Sequence, residues 1–185
     1  MVYWRVATGA TIYNFDIDLA DADRSVYETL ALRLARHPSE SEEYLVTRVL
    51  AYAMEHAEGI AFSTGGLSDP DEPAITVRDL SGALRAWIEV GSPDSARLHK
   101  ASKASPRVAV YTHKDVERLA VRLSGEGIHR AAALELYAID SALIGALASR
   151  LDRRMAFALS ISERELFVSI GADTLTGRVV RRPIA

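Results

Sequence analysis

The sequence predicts a mixed α/β domain built on one mixed β-sheet flanked by helices. Three observations carry this. The chain opens on period-2 alternation of apolar and polar residues, its middle alternates strand-like and helix-like runs, and it closes on a second alternating pair. Strands gathered at both ends argue against a doubly wound sheet, in which helices alternate with strands throughout.

The elements follow in order. Tyr13, Phe15, Ile17 and Leu19 alternate with Asn14, Asp16 and Asp18, which predicts a half-buried strand over 12–19 with one wet face. Asp21 to Asp23 supplies a turn. Leu30, Leu32 and Leu34 then alternate with Ala31, Arg33 and Ala35, so 27–37 pairs back as an N-terminal hairpin. Ser39 stands three residues before Glu42, the capping-box spacing, and predicts a helix running to about His56. Its apolar stripe is Leu45, Val46, Val49 and Leu50 with Tyr52 or Ala53. Residues 65–73 form a loop crowded with turn formers and acids. Strands over 75–80 and 84–90 follow, joined by Ser81-Gly82. Ser92 caps and Pro93 opens a helix to about Ala104. Then come a short buried strand over 108–111, a helix over 114–124 stopped by Gly125, a strand over 134–139, and a helix capped by Asp140. Met155, Phe157, Leu159 and Ile161 face Leu166, Val168 and Ile170 across 162–165 as a C-terminal hairpin. Residues 171–177 read as a loop, and the arginine-bearing tail as a fraying end.

At 185 residues the chain suits one domain over 1–185. Its net charge of −3 offers no global attraction to nucleic acid, so a polyanion site has to be a local patch. With no cysteine there is no disulfide frame, thiolate nucleophile or cysteine-based zinc site. No basic leader with an apolar core opens the chain, and charges such as Glu135 and Asp140 interrupt the longer apolar runs. The expectation is a cytoplasmic protein that does not enter a membrane.

Familiar motifs fail. Gly171 to Gly177 lacks the Lys-Ser or Lys-Thr of a phosphate loop, and no Gly-x-Ser-x-Gly elbow occurs. His37, His56, His99, His113 and His129 have no two-ligand helical spacing. Glu89 is different. Period-2 geometry places it on one face with Trp87 inside an apolar run, with Arg97 and Lys100 on the following helix. A carboxylate desolvated in such a run needs a metal ion, a cationic partner or dedicated hydrogen bonds.

Other acids gather round it in sequence: Glu40 and Glu43 at a helix start, and Asp69, Asp71 and Glu72 in the loop. Leu-Ala-Arg-His-Pro-Ser-Glu at 34–40, Asp-Glu-Pro at 71–73 and Trp-Ile-Glu-Val-Gly-x-Pro at 87–93 resemble the YaeQ family, and the resemblance runs from Thr11 through Lys100 and more loosely to the last hairpin. It implies a fold related to the PD-(D/E)XK nucleases, in which acids hold Mg²⁺ or Mn²⁺ and a lysine orients the attacking water. By position, Glu43, Asp71 and Glu89 would be the metal ligands and Lys100 the water-orienting cation, with Glu40, Glu72 and Arg97 in support.

Two departures stand out. Gly91 occupies the place of the nuclease lysine two residues after Glu89, and Ala74 follows Pro73 where the family pattern of the nucleases has Asp. Lys100 lies about seven residues into its helix, roughly 10 Å from the helix start, and Asp71, Glu72 or Asp79 has to stand in for the missing Asp. Two functions follow. One is a metal-dependent phosphodiesterase that binds nucleic acid through Arg97, Lys100, Lys103 and Arg107, with affinity falling steeply in salt. The other is a catalytically degenerate binding or assembly module, in which Glu89 pairs with Arg97 or Lys100 and fixes the helix on the sheet.

Overall fold

Alternation in the sequence becomes alternation in burial along the first hairpin. In the computed structural model, which describes residues 9–64 and 71–184, β1 (Thr11–Asp21) pairs antiparallel with β2 (Val26–Arg36). Phe15, Ile17 and Leu19 are buried while Asp16 and Asp18 stay wet. Trp4, Asp69 and the acid-rich loop up to Pro70 lie outside the described residues.

Helix α1 (Glu42–Met54) follows, and its cap corrects the expectation of Ser39. Ser41 Oγ accepts the Tyr44 N–H at 3.1 Å, whereas Ser39 Oγ lies 2.6 Å from His37 Nδ1. A turn closed by Glu40 N–H on the His37 carbonyl delays the helix by two residues. The short strand β3 (Ile60–Phe62), too brief to show a period, was not predicted. β4 (Ile75–Arg78) and β5 (Leu84–Val90) form the expected pair. Helix α2 (Ser95–Ala104) is capped by Asp94, whose carboxylate takes the Arg97 N–H at 2.7 Å, in place of the predicted Ser92. β6 (Arg107–Thr112), α3 (Val116–Leu123), β7 (Glu135–Ile139), α4 (Ser141–Ala148), β8 (Arg154–Ser162) and β9 (Glu165–Ile170) agree with the pattern to within a few residues.

The last element overturns the expected loop and fraying tail. β10 (Asp173–Arg182) pairs antiparallel with β9 on one side and with β7 on the other. It joins the two halves into a single mixed sheet among the described residues, ordered β2-β1-β8-β9-β10-β7-β6-β5-β4-β3. Gly177 makes this possible. A Cβ there would stand 2.7 Å from Leu143 Cβ, so only a glycine lets the start of α4 settle on the strand.

The sheet curls round α1. Leu45, Val49 and Leu50 share one core with Phe15 and Ile17 of one half and with Ile88 and Tyr111 of the other, and α4 completes that layer. On the opposite face of the second half, α2 and α3 cover Trp87, Val108 and Val110 with Leu98, Leu119 and Leu123. That face carries Glu89. The period-2 assignment of Trp87 and Glu89 to one side, with Ile88 and Val90 on the other, therefore holds.

Candidate functional site

β5 brings Glu89 to the edge of α2, where it is only 4% exposed. Its Oε1 accepts the Trp87 indole N–H at 2.6 Å and the Arg97 Nε–H at 2.7 Å. Arg97 lies in the first turn of α2, so the helix delivers its guanidinium back toward the strand end. Its Nη2 also donates to the Glu72 carbonyl at 2.6 Å, tying the loop before β4 into the same cluster. Burial pushes the Glu89 carboxyl above its ordinary range, against the lowering action of the Trp87 hydrogen bond and the Arg97 charge.

Beside this clamp lies a cavity of about 240 Å³, lined by Tyr44, Arg48, Ser63, Glu72, Glu89 and Arg97 among others. Glu72 Oε2 accepts the Ser63 hydroxyl at 2.8 Å. Arg48 is a buried guanidinium on α1, held to the Ala35 carbonyl at 2.8 Å and within 3.1 Å of Glu40 Oε1. That last contact is close enough for charge attraction but lacks hydrogen-bond alignment: Glu40 Oε1 and Arg48 Nε are both buried without a hydrogen-bond partner. Burial raises the Glu40 carboxyl, with Arg48 opposing, and burial likewise raises the Tyr44 phenol.

The structure gathers some of the expected residues and separates others. Glu89, Arg97 and Glu72 meet at the cavity. Asp71 and Lys100 pair with each other through a short carboxylate–ammonium contact, both largely exposed. Glu40 is not a first-turn helical acid but a buried one in the preceding turn, its Oε2 accepting the His37 N–H at 3.0 Å. Glu43 lies on the His113 side of α1: its carbonyl takes the Thr47 hydroxyl, which also meets His113 Nδ1, and its charge acts on that ring. Asp79 is occupied by its own turn, where the Ser81 hydroxyl, Arg85 and the N–H groups of Ser81 and Ala83 hold its pKa at about 2. Among the described residues no group of three or more His, Asp or Glu side chains could hold a metal ion.

The expected basic patch disperses. Arg107 turns away to bond Glu55 at 2.7 Å and Glu135 at 2.7 Å. Arg97 holds Glu89 and Lys100 holds Asp71, while Lys103 is exposed on α2. Sequence reasoning did not single out Tyr44, Arg48 or Ser63 for the site. The available signal was Arg48 itself, a guanidinium set among Leu45, Val46, Val49 and Leu50. Among the described residues no helix is long and apolar enough to cross a membrane.

A family profile described as "YaeQ protein" matches residues 6–179. The chain is 31% identical over 171 residues to an "Uncharacterized protein YaeQ" of Salmonella typhi, and 30% identical to the protein of that name in Escherichia coli K12. Each alignment covers 92% of this chain and 94% of the relative. The crystal structure of the YaeQ protein from Pseudomonas syringae superposes with a TM-score of 0.87 at 32% identity, covering 95% of this chain and 97% of that one. The YaeQ protein from Xanthomonas axonopodis pv. citri gives 0.84 at 30% identity, covering 95% and 99%.

Proposed function

The chain belongs to the YaeQ family, and from that premise we propose that it works in the cytoplasm as a binding module on a PD-(D/E)XK nuclease-like fold, without turnover. The observation that carries this reading is the 2.7 Å bond from Arg97 Nε to Glu89 Oε1. A carboxylate that held a divalent ion would need an oxygen turned to the cation. Here Oε1 is taken by the Trp87 indole and by a guanidinium of the chain's own, so the carboxylate charge is offset from within. Asp71 and Lys100 repeat the exchange at the surface, and Glu40 with Arg48 repeats it in the core. The arrangement supports an internally paired polar cluster that fixes α2, β5 and the loop before β4 around a small cavity.

The patch from Arg97 to Arg107 offers nucleic acid little to hold. Of the four cations Arg97, Lys100, Lys103 and Arg107, two are committed to buried or half-buried acids, leaving Lys103 and the Asp71-paired Lys100 at the surface. Two phosphate contacts would give a salt slope no steeper than about −2, far below that of a dedicated nucleic-acid binder.

A second reading has one observation in its favour. Glu72 and Glu89 line the same cavity with Asp71 adjacent in sequence, so a swing of Arg97 toward solvent would offer carboxylates to Mg²⁺ or Mn²⁺ for phosphodiester hydrolysis, with Glu43 outside and Lys100 as the cation nearest Asp71. Calorimetric titration with MgCl₂ and MnCl₂ on the parent and on Glu89→Gln, alongside cleavage assays on DNA and RNA oligonucleotides, separates the two. No metal heat and intact oligonucleotides are expected. Metal binding and cleavage that both vanish in Glu89→Gln, with the variant still folded, would replace the binding module with the phosphodiesterase.

A further inference from the structure

The larger cavity lies elsewhere, at the C-terminal end of α1. It encloses about 590 Å³, within the range of small-molecule sites, and opens between the β1–β2 turn and the β8–β9 turn. Met54, Val77, Ala86, Ile161 and Val179 give it apolar walls. Tyr137, stacked on Tyr111 with ring centroids 4.9 Å apart, supplies a flat one.

Among the described residues two charged side chains of this wall, Asp23 and Arg164, have no ion-pair partner, and the others are paired. Arg107 is held by Glu55 and Glu135, and Glu55 also accepts the Tyr111 hydroxyl at 2.6 Å. Arg24 bonds Asp21 and closes the end of α1 by donating to the carbonyls of Ala53 and His56. Arg85 is paired with Asp79. The carboxylate of Asp23 accepts the backbone N–H groups of Glu163 and Arg164 at 2.7 and 2.9 Å. That leaves the Arg164 guanidinium, which has no partner among the described residues.

The backbone that presents Arg164 is strained and pinned. Glu163 and Arg164 have φ of 52° and 62°, a left-handed pair at a hairpin turn without a glycine. Asp23 fixes the two N–H groups, and the Arg164 carbonyl accepts the Val179 N–H at 2.9 Å. Uncommon backbone pinned by Asp23 and Val179 at the mouth of a cavity, carrying the exposed guanidinium of Arg164 that has no acid partner among the described residues, motivates a functional reading.

We propose that the cavity at the C-terminal end of α1 binds a small organic anion, its apolar body lying against Met54, Val77 and Ile161 and its carboxylate or phosphate held at Arg164. A cation finds no open acid there, since each carboxylate of the wall already accepts hydrogen bonds from the protein. A neutral apolar molecule would leave Arg164 unused. The pocket is separate from the Glu89 cluster, so this inference stands apart from the reading proposed above.

The test uses the full chain and the fluorescent planar anion 1-anilinonaphthalene-8-sulfonate. Saturable binding at one site is expected, weakened roughly tenfold or more by Arg164→Gln through loss of a charge-assisted contact. Arg164→Lys, which keeps the charge, should recover most of the affinity; equal weakening in both variants would overturn the role of the charge. The chain has three methionines, so ¹³C-methyl labelling reports position. The Met54 methyl should shift on binding while that of Met155, in the core between α1 and β8, should not. Unchanged affinity in Arg164→Gln, an unmoved Met54 or the lack of saturable binding overturns the proposal. Displacement by adenosine monophosphate identifies a phosphate ester with an aromatic body as the ligand type, and displacement by decanoate an alkyl carboxylate. Displacement by neither overturns the assignment.

Discussion

Arg97 and Glu89 form a half-open clamp: Nε–H meets Oε1 at 2.7 Å, with the arginine side chain 25% exposed and the carboxylate 5%. Removing the cation leaves a buried carboxylate with only the Trp87 N–H to satisfy it. Breaking a fully buried pair costs about 3–5 kcal/mol. The partial exposure of Arg97 lets water recover some of that, so Arg97→Ala is expected to lower unfolding free energy by about 2–3 kcal/mol. Urea unfolding measures it. A loss within the roughly 0.5 kcal/mol typical of surface changes would show that the clamp holds nothing together.

The same carboxylate gives a pH dependence of unusual sign. Burial holds its folded pKa above the unfolded value of an ordinary glutamate. The native state therefore binds that proton more tightly, and the contribution of Glu89 to stability is present at low pH and lost as pH rises through the raised value. Glu40 behaves alike, whereas burial depresses His113, whose contribution is lost as pH falls below its ordinary range. Comparing the parent with Glu89→Gln cancels the other two groups. As pH falls from neutrality toward the ordinary glutamate range, the parent should gain stability relative to the variant. A relative loss over that interval, read from paired urea curves, would mean that the Arg97 charge outweighs desolvation.

Trp87 and Glu89 were legible as a pair because strand geometry alone puts residues two apart on one face, and Arg97 was legible as a partner because the next helix begins within reach. The rest depended on long-range packing. Tyr44 and Arg48 reach the cavity only because the sheet curls round α1, which no local window reveals. β10 was missed for a related reason: Val179 is its one buried hydrophobic residue, and its partner β7 lies more than thirty residues earlier. The helix caps slipped by two residues where Ser41 and Asp94 displaced Ser39 and Ser92, since several small polar residues in a row satisfy the same local rule.

The backbone at Gly91, where the nuclease resemblance calls for a lysine, disfavours any side chain. The residue follows the last position of β5 at φ 93°, donates its N–H to the Tyr111 carbonyl at 2.8 Å, and has Tyr44 Cε2 only 3.3 Å from where a Cβ would be. A side chain here is strained by its backbone before it can serve any chemistry. Gly91→Lys is expected to cost roughly 1–2 kcal/mol from the left-handed conformation alone, and to yield no Mg²⁺-dependent cleavage of oligonucleotides. A variant as stable as the parent that cuts DNA or RNA would restore the metal-centre reading.

Asp23 latches the first hairpin to the last. Its carboxylate is the acceptor for both left-handed residues of the β8–β9 turn, 140 and 141 positions away in sequence. Those two N–H groups are exposed, so water replaces part of what the carboxylate supplies, and Asp23→Ala should cost about 1 kcal/mol. Replacing Glu163-Arg164 by Asn-Gly, the pair suited to a turn with two positive φ angles, should itself stabilise by about 0.5–1 kcal/mol. It should also shrink the Asp23→Ala penalty, because the turn then no longer needs an outside acceptor to hold its shape. A double-mutant cycle on unfolding free energies measures that coupling. Additive effects would mean that Asp23 acts on the position of the hairpin and not on its backbone conformation.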